Sequence, residues 1–190
     1  MRIVTALREL PRGRVEVRLD GAPWRVVPAD AVVCAGLGVG RPLDRETARA
    51  LGRELRRSAA LARATRALVH SDRSRSTLEQ RLAAAGIGAA PVRAAIETLE
   101  RAGLVDDARF AARRAAALAD RGRGDAAIRH DLERQGIPDE LVAEALAGLE
   151  PERERASRLV ERRGRGAATA RWLAGRGFGE ETIEEVAGWA

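Results

Sequence analysis

The spacing of apolar residues changes period once along the chain. Near the start, Val15, Val17 and Leu19 alternate with Arg14, Glu16 and Arg18, the period-two signature of a strand with one wet face. Asp20-Gly21 supplies a tight turn before PWRVVP, and RIVTALREL ahead of the alternation is rich in β-branched residues. The pattern predicts two or three antiparallel strands, a sheet too small to stand alone. A short helix at ADAVVCAG follows. RPLDRETARALGRELRRS then opens a helical remainder, with Asp44 as its N-cap.

From about residue 58 the pattern is helical and it repeats. LEQRLAAAGIGAAPVRAAIETL, IRHDLERQGIPDELVAEALAGL and TARWLAGRGFGEETIEEVAGWA align on Gly86, Gly136 and Gly177, each followed by an apolar residue, Ile87, Ile137 or Phe178. Four residues earlier stands Leu82, Leu132 or Leu173, and six residues later Val92, Val142 or Ile183. Leu-x-x-x-Gly places a core leucine on the last turn of a helix and a glycine at C′, where positive φ costs least. Pro91, Pro138-Asp139 and Gly179-Glu180 open the next helix. With leading amphipathic helices at about 59–71, 107–121 and 152–163, each unit holds three helices. The steps between turn glycines, 50 and 41 residues, are unequal, so the reading is three tandem units with different linkers. The fold class expected is mainly α: three helix-turn-helix-like repeats at 58–106, 107–150 and 151–190, after an N-terminal β-extension with short helices at 1–57.

Composition narrows the chemistry. Of 190 residues, 45% are hydrophobic and only 3% aromatic, which suits a core of Leu, Val, Ile and Ala. All 34 basic residues are arginine, for a net charge of +6. An Ala- and Arg-rich chain without lysine is what a GC-rich genome tends to encode, yet guanidinium forks still recognise carboxylate and phosphate. The absence of lysine removes the Walker A, Schiff-base and kinase chemistries. Gly36-Leu37-Gly38-Val39-Gly40 lacks the residues that would make it a phosphate loop and reads as turn glycines. Two histidines, one cysteine and no tyrosine leave no metal set and no nucleophile pair. Asp106-Asp107 is more simply a helix cap than a catalytic carboxylate pair. The expectation is a non-enzyme with no cofactor, no membrane span and no signal peptide, cytoplasmic and monomeric.

The ordered set of motifs resembles the RecX family. Gly103-Leu104-Val105-Asp106-Asp107-Ala108-Arg109-Phe110-Ala111 is similar to that family's linker GLLDDxRFA between its first two repeats. Arg73-Ser74-Arg75-Ser76 opens the first repeat as family members do, with Thr77 where Glu is common. Gly124, Ile128, Leu132, Gly136 and Ile137 fit the second-repeat pattern GxxxIxxxLxxxGI, and Arg176-Gly177-Phe178 the third-repeat RGF. Leu19-Asp20-Gly21, Gly36-Leu37 and Gly40 before Leu43 resemble the N-terminal extension of some members; the chain departs in stopping at Ala190, directly after its last repeat helix. The resemblance implies an extended, curved array of repeats. It also implies a regulator that binds the RecA recombinase filament on single-stranded DNA and inhibits its ATPase and recombinase activity in DNA repair and recombination.

Charge by segment chooses candidate contacts. Residues 1–60 carry net +5, 61–110 net +2, 111–150 net −2 and 151–190 net +1, so the later repeats are nearly balanced and bipolar. The candidates for RecA or DNA contact are Arg113, Arg114, Arg121, Arg123, Arg129 and Arg134 in the second repeat, and Arg162, Arg163, Arg165, Arg171 and Arg176 in the third. Trp24, Trp172, Trp189, Phe110 and Phe178 read as packing residues rather than base-stacking platforms. The alternative is a protein that reads duplex DNA directly through tandem helix-turn-helix units. Against it, two of the three second helices begin with acids, PDELVAE and GEETIEE, where phosphate would be repelled. Only weak direct DNA binding is expected.

Overall fold

The computed structural model describes residues 2–188, without the side chain of His70; Trp189 lies outside the described residues. Strands β1 (Arg2–Leu10), β2 (Arg14–Leu19) and β3 (Ala22–Pro28) form an antiparallel meander. The two-residue turn forms at Asp20-Gly21, both with positive φ, 51° and 83°, the conformation that suits a tight hairpin. Val15, Val17 and Leu19 are buried while Arg14 is exposed, as the alternation predicts. A fourth strand, β4 (Pro42–Leu43), pairs with Arg2 and Ile3 and completes the order β3-β2-β1-β4. Two residues are too short to leave a periodic trace, so the sequence reading of two or three strands misses it. The sheet is closed on one face by α1 (Ala29–Cys34) and α2 (Arg45–His70), with Val4, Val17, Val27, Ala31, Val32 and Leu51 in one core.

Helix α2 begins where expected: the Asp44 carboxylate accepts from the Thr47 amide at 2.7 Å, an N-cap that also holds this acid below the usual carboxylate range. It then continues without a break through residue 57, where the sequence reading puts the end of the N-terminal extension. No proline interrupts 45–70, and Gly52 alone does not stop a helix this long.

The remaining helices follow the repeat: α3 (Arg75–Ala84), α4 (Ala89–Arg101), α5 (Asp107–Asp120), α6 (Asp125–Arg134), α7 (Asp139–Ala147), α8 (Glu152–Arg163), α9 (Ala167–Ala174) and α10 (Glu180–Ala187). The chain divides into two compact bodies, one of 1–71 with 79–102 and one of 72–78 with 103–190, so the division passes within α3. In the second body, α5, α6 and α7 enclose Phe110, Ile128, Leu132, Ile137 and Val142, while α8, α9 and α10 enclose Val160, Leu173, Phe178, Ile183 and Val186. Phe110 and Phe178 are therefore core residues, and Trp24 and Trp172 pack half-buried on their clusters. The three turn glycines all take positive φ: 76° at Gly86, 71° at Gly136 and 80° at Gly177. No helix among the described residues is long and apolar enough to cross a membrane.

Candidate functional site

Successive repeats of the second body meet through one recurring contact. The residue before the turn glycine, Gly136 or Gly177, offers its carbonyl to the start of the middle helix one repeat earlier. Ser74 Oγ donates to the Gln135 carbonyl at 2.6 Å, and the Gly124 amide donates to the Arg176 carbonyl at 3.0 Å. Ser74 and Gly124 each stand twelve residues before the turn glycine of their own repeat, so donor and acceptor occupy equivalent places in both contacts. The acids read as a helix cap behave as one: Asp106 accepts from the Arg109 amide at 2.9 Å, and Asp107 from the Arg75 amide at 2.8 Å.

The consequence for the candidate arginines is clearest in the turn between α5 and α6, residues 121–124. Arg176 Nη1 donates to the carbonyls of Arg121 (2.8 Å) and Gly122 (3.3 Å), and Arg155 Nη1 to the Arg123 carbonyl (2.9 Å). Arg155, only 6% exposed, also donates to the Glu150 carbonyl and pairs with Asp125. Glu152 completes the frame, accepting from the amides of Asp125 (2.6 Å) and Gly179 (3.0 Å) and from the Thr182 hydroxyl (3.0 Å). Backbone groups of the turn are thus held from several sides, while the side chains of Arg121 and Arg123 point out, exposed.

The candidates fall into two sets. Arg114 is bound bidentately by Asp131 and lies over the Phe110 ring at 6.0 Å; this contact holds Asp131 below the usual carboxylate range and raises Arg114. Arg113 reaches Asp72 at 2.8 Å. Arg163 and Arg176 stack on Trp172 at 4.6 and 4.3 Å. These four are engaged within the fold. Arg121, Arg123, Arg129, Arg134, Arg162, Arg165 and Arg171 are exposed and, among the described residues, have no carboxylate partner. The structure brings Arg113, Arg114 and Arg121 round one shallow recess with Asp72 and Phe110, and Arg162 to a second, of about 360 Å³, with Arg155, Arg158 and Glu150. Arg129, Arg134 and Arg171 join neither.

Arg155 and Glu152 are absent from the sequence reading. A signal existed for the first: with Ala156, Leu159 and Val160 it falls on the apolar face of α8, and a charge there needs partners. No group of three or more His, Cys, Asp or Glu able to hold a metal occurs among the described residues.

The fold and this frame define a class: helical repeat proteins that present arginines from braced turns. Comparison with known proteins gives the family. The family model for the second three-helix domain of RecX matches residues 106–146. The regulatory protein RecX of Chromohalobacter salexigens is 36% identical over 132 residues, 65% of this chain and 87% of that protein. That of Xanthomonas oryzae pv. oryzae is 33% identical over 150 residues, 74% of this chain and 94% of its own. A crystal structure of a regulatory protein RecX superposes with a TM-score of 0.85 over 100% of both chains at 20% identity. The RecX of Lactobacillus salivarius does so at 0.62, over 69% of this chain and 94% of that one, at 19% identity. The chain belongs to the RecX family.

Proposed function

We propose that this chain regulates RecA by binding, not by catalysis: it engages the RecA filament on single-stranded DNA and inhibits its ATPase and recombinase activity. Family membership supports the partner, and the braced 121–124 turn is the observation that carries the mode of binding. Side chains whose backbone is already fixed lose less freedom on contact, so more of the gross interaction survives as affinity. Exposed arginines beside acidic helix starts suit a partner that shows both phosphate and protein carboxylate.

Direct reading of a DNA groove by the helix-turn-helix units is the weaker alternative. The helices that would enter the groove, α7 and α10, carry Asp139 and Glu140, and Glu180 and Glu181, in their first turns, where they meet phosphate unfavourably.

The test is RecA ATPase on single-stranded DNA, with wild type and the R121A/R123A/R162A variant. Wild type at near-stoichiometric ratio inhibits, and the variant needs about tenfold more protein for the same inhibition, a loss of roughly 1.4 kcal/mol. An ATPase rate unaffected by wild type overturns the proposal.

A further inference from the structure

Arginine is not distributed in the same way everywhere in this protein. In the second body, Arg109, Arg113, Arg114, Arg153, Arg155 and Arg158 all pair with carboxylates. Among the described residues, the unpaired arginines of that body are spread over α6, α8, α9 and the turns between helices, whereas on helix α2 they share one element. The only acids of α2 are Glu46 and Glu54, and Glu54 is taken by Arg57, which also reaches Asp30 at 3.7 Å. Arg45, Arg49, Arg53, Arg56, Arg63 and Arg66 are exposed and make no ion pair or side-chain hydrogen bond among the described residues.

Their positions are not scattered. At 100° per residue, Arg45, Arg49, Arg53 and Arg56 fall within an arc of roughly 80°. They form a row about 17 Å long, from the 1.5 Å rise over eleven residues. All four line one open groove with Ala48 and Gly52. These two small residues keep the row accessible as far as Arg56; beyond it Ala60, in the same arc, is buried. The far side of the helix is fixed, with Leu51 buried and Leu55 packed against the sheet core. Like charges at i and i+4 destabilise a helix, so a row without interleaved acids is unfavourable unless an anion covers it. Codon bias would supply arginines, but it would not set four of them on one face of a single helix with no acid among them.

We infer that the α2 arginine row is a docking surface for the phosphate backbone of duplex DNA, independent of base sequence. The occupant is identified by charge and by stiffness. A straight, fixed row of this length matches roughly five base pairs of a duplex, whose phosphates repeat at 3.4 Å per strand along a stiff axis. A single strand would have to be ordered to match it, and its bases would find no stacking platform, since α2 contains no aromatic residue. The row belongs to the first body and the braced turn to the second, and the inference does not depend on the RecA reading; its test contains no recombinase.

The experiment is fluorescence anisotropy of a labelled twenty-base-pair duplex of mixed sequence, and of one of its strands, against the full chain at several salt concentrations. Wild type is compared with R49Q/R53Q/R56Q, whose folding is checked by circular dichroism and melting; glutamine keeps the helix and removes the charge. Wild type binds duplex more tightly than the single strand. The variant binds duplex at least about tenfold more weakly at 0.1 M salt, and its log–log salt slope is shallower by between about 2 and 3, as loss of three phosphate contacts requires. A folded variant with unchanged affinity and slope overturns the inference, and so does a wild type that does not bind duplex at low salt. Single strand bound as tightly as duplex, and lost in the same variant, overturns the choice of occupant.

Discussion

Gly177 and Gly86 occupy the same place in their repeats, with nearly the same backbone, φ 80° and 76°, yet their surroundings differ. A Cβ on Gly177 would lie 2.6 Å from the Ala127 amide nitrogen and 2.5 Å from its methyl carbon, whereas one on Gly86 would meet nothing within 4 Å. Gly124 supplies the third case: its φ is −80°, which any residue can adopt, but a Cβ there would collide with the backbone of Gly177 and Phe178. So glycine is required at Gly86 by conformation, at Gly124 by contact, and at Gly177 by both. A local motif reports the first requirement. The second exists only once another repeat has docked.

Three substitutions separate these requirements, read by urea denaturation. Gly177→Ala carries both costs, about 1–2 kcal/mol for the left-handed backbone and about 1–3 kcal/mol for forced contact, for a loss of roughly 2–5 kcal/mol. Gly124→Ala carries only the contact, about 1–3 kcal/mol, and Gly86→Ala only the backbone, about 1–2 kcal/mol. If Gly86→Ala costs as much as Gly177→Ala, the contrast between a docked and a free turn is wrong.

The smallest expected effect sharpens the same contrast for charge. Asp131 is held low by its hydrogen bonds from Arg114. A depressed folded-state pKa means that the pair's contribution is present above the unfolded value, about pH 4, and lost as pH falls through the lower folded one. Asp131→Asn therefore flattens the acid limb of the melting profile below about pH 4 while lowering stability at neutral pH. An acid limb identical to wild type would show that the pair adds nothing there.

Much of the fold is legible because its signals are local and periodic. Leu82, Leu132 and Leu173, chosen only for their distance from a glycine, are each at most 1% exposed. Val15, Val17 and Leu19 are buried as period two requires. What escapes is what depends on distant partners. Strand β4 is two residues that pair only because the chain returns to β1. The engagement of Arg114 by Asp131, and of Arg176 by carbonyls more than fifty residues away, leaves no periodic mark. Candidate arginines selected by local density accordingly include both braces and free side chains. The α2 row, by contrast, has helical spacing that can be read from the sequence. Net charge is highest over residues 1–60, at +5, whereas the candidates read from the sequence lie in the later repeats.

The recurring contact between repeats also has a direction in time. Ser74 precedes its acceptor Gln135 by 61 residues, and Gly124 likewise precedes Arg176. On a ribosome adding about 5–20 residues per second, each receptor is translated several seconds before the segment that fills it. Each repeat must therefore hold its shape before its brace exists: the 121–124 turn is completed only once Arg155 and Arg176 of the following repeat have been translated.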